Sequence, residues 1–136
     1  MTEPLKEKKI KVVLCEPGKV ARVAEIGTEL SDLQRVVGGL IEPYYPFEEQ
    51  VCIVCNDEGK YNGMRPCRAI YGEGREMMDI IFGPFFICDC STPHFGSLNK
   101  EQLERYKKQF QNPEHFFRVG GEIKAVPYKP EKDHER

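Results

Sequence analysis

The chain has 136 residues, and 20 basic against 22 acidic side chains leave a formal net charge of −2. That length suits one domain able to bury a core without staples. The balanced charge argues against nucleic acid as the main partner, because phosphate binding needs a basic excess on one face.

The most apolar stretch is Met77–Cys90, broken in its middle by Gly83-Pro84. Rich in Ile and Phe and bounded by turn residues, it reads as a strand buried on both faces. Its longest stretch free of charge, Ile80–Cys88, is too short to span a bilayer as a helix. The charged N-terminus carries no apolar signal-peptide core. The expectation is a soluble cytoplasmic protein with no membrane contact.

In chain order, residues 1–8 read as a flexible tail. The lysines Lys6, Lys8, Lys9 and Lys11, at its end and just beyond, are interleaved with Glu3 and Glu7 as solvated charge. Ile10–Cys15 and Val20–Ile26 read as strands of a hairpin. The turn Glu16-Pro17-Gly18-Lys19 fits type II, with Pro second and Gly third. Thr28 is the expected cap of a helix bearing Leu30, Leu33 and Val37, and Gly38-Gly39 is its stop. Strands are expected next at Leu40–Tyr45 and Val51–Asn56. Of Tyr44, Tyr45 and Phe47, at least two rings are expected to be buried.

Tyr61–Arg75 is the least regular part. Asn62-Gly63 signals a tight turn, Pro66 suits a single helical turn, and Gly72 and Gly74 loosen the remainder. After the long apolar strand, Asn99 and Gln102 have the spacing of a capping box for a helix over Lys100–Gln111. Leu103, Tyr106 and Phe110 form its stripe, and Phe116 with Phe117 is expected to fold back over the core. Residues 121–136, charged and without periodicity, read as a disordered tail. The sum is one α+β domain over 9–120, a mostly antiparallel sheet of about five strands with two helices on one face.

Six cysteines in such a chain are expected to be reduced and buried. Cys52-x-x-Cys55 has knuckle spacing, and Cys67 and Cys88 would complete a zinc set. Yet residues three apart on a strand point to opposite faces, so no metal and no cofactor is expected. Cys88 and Cys90 lie near His94, but Asp89 works against a thiolate, so cysteine catalysis is not expected either. The adjacent acids Glu48-Glu49 and Asp57-Glu58 read as solvated charge, and Gly72-Glu73-Gly74 lacks the rest of a phosphate loop. The one polar cluster without a structural job is Tyr61, Asn62, Arg65, Arg68, Tyr71 and Arg75. Guanidinium forks beside aromatic faces suit a carboxylate, a phosphate or an acidic protein surface. The competing reading pairs Arg68 and Arg75 with local acids such as Asp57 or Glu73.

The segments LCEPGKV, LQRVVGGLIE, VCIVCNDEGKYNGMRPCRAI and DIIFGPFFICDC, in that order, resemble the domain of unknown function 3846 family over about residues 10–120. Pro84 and the cysteines Cys52, Cys67 and Cys90 depart from its usual pattern. The resemblance implies a small accessory protein of phages and conjugative elements in Gram-positive gut bacteria. It transfers no catalytic residue. The expected function is therefore non-enzymatic: binding a protein partner, such as a host defence factor. Two alternatives stand beside it, a binder of a nucleotide-like anion using Tyr61, Arg65 and Arg68, and a zinc-binding structural protein.

Overall fold

A computed structural model describes residues 6–130 of the chain. Strands β1 (Lys9–Cys15) and β2 (Arg22–Gly27) form the expected hairpin. Gly18 supplies the positive φ of 77°, and the Lys19 N–H donates to the Glu16 carbonyl at 3.1 Å, as a type II turn requires. Helix α1 (Leu30–Val37) ends on Gly38 in the left-handed region, whose N–H closes onto Gln34. Its start differs from expectation. Glu29 is the N-cap residue, and its N–H donates to the Asp32 carboxylate. The Thr28 hydroxyl donates instead to the carbonyls of Glu7 and Lys8, tying the N-terminal segment down.

Strands β3 (Ile41–Tyr44) and β4 (Val51–Asn56) come next, then β5 (Pro66–Tyr71), β6 (Met77–Phe82) and β7 (Phe85–Asp89). The main sheet is five-stranded and antiparallel, in the order β2-β1-β7-β4-β3. Pro43 sits on the edge strand β3, where a missing N–H removes no ladder bond. The long apolar run is thus two strands in two sheets. Gly83, at φ 81°, turns the chain out of the β5–β6 hairpin and into the sheet centre. Pro66 opens strand β5 rather than a helical turn.

Helix α2 (Lys100–Gln109) has the predicted capping box: Gln102 N–H donates to Asn99 Oδ1 at 2.8 Å, and Asn99 N–H to Gln102 Oε1 at 3.0 Å. The chain ends in a hairpin, β8 (Glu114–Val119) and β9 (Glu122–Pro127). Glu122–Pro127 is therefore a strand, where a tail from residue 121 was expected; residues 1–5 and 131–136 of the two expected tails lie outside the described chain.

The fold is α+β, as expected, but the helices lie on opposite faces of the sheet. Alternation along the central strands explains this. Val12, Leu14, Cys52, Val54, Phe86 and Cys88 pack with Leu33 and Val37 of α1. Val13, Cys15, Val51, Ile53, Phe85 and Ile87 pack with Tyr106 and Phe110 beside α2. The β5–β6 hairpin joins the second layer through Cys67, Ile70 and Ile81. A sheet apolar on both faces needs cover on both, and each buried Ile or Phe stabilises by about 2 kcal/mol. Tyr44 and Phe47 pack on the core while Tyr45 stays exposed. Phe117 is 45% exposed, so the expected Phe116–Phe117 lid does not form.

Candidate functional site

Among the described residues Arg68 is the largest fully buried side chain, at 1% exposure, and none of them offers it a carboxylate in hydrogen-bond reach. Its Nε donates to the Phe110 carbonyl at 3.0 Å. One terminal nitrogen donates to Cys67 at 3.0 Å and Glu16 at 3.5 Å, and the other to Lys19 at 2.7 Å. A cation fits here because Phe110 is the C-cap of α2, where the helix dipole is negative. The fork also satisfies both ends of the β1–β2 turn, so it joins three elements. A guanidinium so occupied does not grip a ligand. The pairing with Asp57 or Glu73 weighed from sequence is absent too; backbone carbonyls take that place.

Beside it, Glu114 accepts the β5-edge N–H of Ala69 at 2.7 Å. Burial pushes the Glu114 carboxyl up, while the Ala69 bond and the Arg68 charge pull it back.

The other predicted residues do not converge on Arg68. Tyr61 and Asn62 are exposed on the turn after β4. Tyr61 edges a cleft of about 400 Å³ whose charged walls are Glu42, Asp57, Asp79 and Lys60, an acidic setting unsuited to an anion. Exposed Arg65 lies over Gly18, where an added Cβ would sit 3.3 Å from its guanidinium. Tyr71 and Arg75 border a separate cleft between the two hairpins, with Arg75 at φ 64° in the β5–β6 turn.

The cysteines divide by face. Cys52 and Cys88 lie under α1, whereas Cys55 and Cys67 lie on the α2 side, so these four cannot surround one ion. Among the described residues no group of three or more His, Cys, Asp or Glu is placed to hold a metal. Burial pushes Cys15 and Cys55 up to about 12 and Cys67 higher still, which keeps these thiols protonated.

Glu49, expected as solvated charge, instead ties the β3–β4 loop to α2. It accepts from Arg105 and the Tyr106 hydroxyl at 2.7 Å each and from Gln102 at 2.8 Å. The Arg105 bond first, then those from Tyr106 and Gln102, hold its carboxyl down at about 2.

The surface that sequence reasoning missed is the β8–β9 hairpin. Its register puts His115 opposite Val126, Phe117 opposite Lys124 and Val119 opposite Glu122 on one face. Phe116 and Ala125, paired on the other face, are half-buried toward the body. The outward face therefore presents Phe117, Val119 and Val126 at 45%, 53% and 47% exposure. The His115 ring stacks on Tyr128 at 3.9 Å, bracing the base of the hairpin. One signal was present in the sequence: Gly120-Gly121 has the composition of a two-residue hairpin turn.

The chain is thus an α+β sheet domain with a C-terminal hairpin lying beside β5–β6 and exposing an apolar strip. The chain belongs to the family described as Domain of unknown function (DUF3846), whose model matches residues 10–111. The β8–β9 hairpin lies beyond the matched residues. No curated protein and no solved structure matches the chain. No helix among the described residues is long and apolar enough to cross a membrane.

Proposed function

We propose that this protein is a non-enzymatic accessory factor of a phage or conjugative element that acts by binding a host protein. The observation that carries the reading is the outward face of β8–β9. Phe117, Val119 and Val126 form an apolar strip on the outward face of this hairpin, flanked by Glu122 and Lys124. Aromatic and aliphatic side chains held in water on a paired hairpin, with charges at the rim, match the anatomy of a protein-contact surface. The partner is expected to offer an apolar recess with a mixed-charge border. The role in a mobile element rests on the habit that the family resemblance implies, and a host defence factor is one concrete partner.

The test uses the full chain as affinity bait in host lysate, beside Phe117→Asp and Val126→Asp. Both substitutions are at exposed positions, so the melting temperature should not change. The expected result is one dominant host protein retained by the native chain and lost from both variants. Equal retention by all three baits, or no retained protein, contradicts the proposal.

A further inference from the structure

We propose that Cys52, Cys88 and Cys90 form a thiol–disulfide site that a low-molecular-weight disulfide enters at Cys90 and that closes as a bond between β4 and β7. Cys52 and Cys88 are direct partners in the antiparallel register, and their sulfur atoms are 3.9 Å apart. Direct partners of this kind have Cα atoms about 4.5–5.5 Å apart, inside the span of a disulfide. Cys90 is two residues beyond Cys88 and so points to the same face. It is half-exposed, whereas Cys52 and Cys88 are fully buried. The cluster thus has an entrance and a closed pair behind it.

The two facing sulfurs can each donate to the other. The Cys88 bond favours the Cys52 thiolate, burial opposes it and the Cys90 bond adds to the first, so Cys52 acts as the internal nucleophile. Burial raises Cys90 to about 11, so the first step is slow but open to solvent. In that step the Cys90 thiolate attacks one sulfur of the small disulfide, breaking its S–S bond and releasing one thiol. Cys52 then attacks the Cys90 sulfur and expels the second thiol. The diagonal bond between Cys52 and Cys90 is long for a disulfide, since diagonal Cα atoms lie about 7–8 Å apart. Cys88 therefore displaces Cys90 from Cys52, and the bond settles between the direct partners. In sum, Cys52 and Cys88 lose two electrons and two protons, and the small disulfide is reduced to two thiols.

The experiment incubates the native full chain with oxidised glutathione and reads intact mass and linked peptides. The expected product has lost two hydrogens and carries a Cys52–Cys88 linkage, with Cys15, Cys55 and Cys67 free. Cys90→Ser, at a half-exposed position, should close about tenfold more slowly or less, because the entry thiol is gone. Cys52→Ser should accumulate a glutathione adduct on Cys90. Thiols that all remain free in the native chain would overturn the proposal. So would a linkage through Cys15, Cys55 or Cys67, or closure of Cys90→Ser at the native rate.

Discussion

A buried cation has to be matched by acceptors, and Arg68 finds them in the backbone carbonyls of Phe110, Cys67, Lys19 and Glu16. The β1–β2 turn and the last turn of α2 consequently depend on one side chain. Arg68→Met removes the donors and leaves several part-buried carbonyls unpaired, so a loss of about 3 kcal/mol is expected. Urea unfolding should show a lower midpoint at unchanged slope; an unchanged midpoint would contradict the structural role. Glu49 makes a pH-dependent contribution of known sign. Its carboxyl is lowered in the folded state, so its stabilisation is full above the usual carboxylate range and fades as pH falls toward about 2. Glu49→Gln should therefore lower the melting temperature near neutral pH, by an amount worth about 1 kcal/mol for a pair this exposed. The difference should shrink as pH falls below about 4.5 and vanish near its lower limit; a gap that widens in acid would refute the assignment.

At the scale of elements, the junction between β6 and β7 shows how one residue changes topology. Gly83 has φ 81°, and an added Cβ would lie 2.5 Å from the Met64 sulfur. Gly83→Ala combines backbone strain with a side-chain collision, so destabilisation of about 1–3 kcal/mol is expected by thermal or urea unfolding. The local signals of the chain were largely legible. Gly18, Gly38 and the Asn99–Gln102 box act as their sequence suggests, because turns and caps depend on neighbours within a few residues. Met77–Cys90 was not legible in the same way. An apolar run reports burial, and burial is common to one long strand and to two strands in different sheets. Arg68 was misjudged for a related reason: its partners lie up to 52 residues away, and no local pattern announces a carbonyl cage.

For the whole molecule, the two apolar faces of the central strands place α1 and α2 on opposite sides, and the β5–β6 hairpin completes the α2 layer. The six residues proposed from sequence as one binding cluster are dispersed by this arrangement: Arg68 enters the core, and the others spread over the turns and hairpins. The β8–β9 hairpin keeps an apolar face on the surface. A photoreactive diazirine side chain placed at Phe117, against the same group at Val23 on the far sheet edge, compares two positions of near-equal exposure, 45% and 44%. In host lysate one host protein should cross-link from position 117 and none from position 23. Cross-links of equal yield from both positions, or from position 23 alone, would contradict binding through the hairpin.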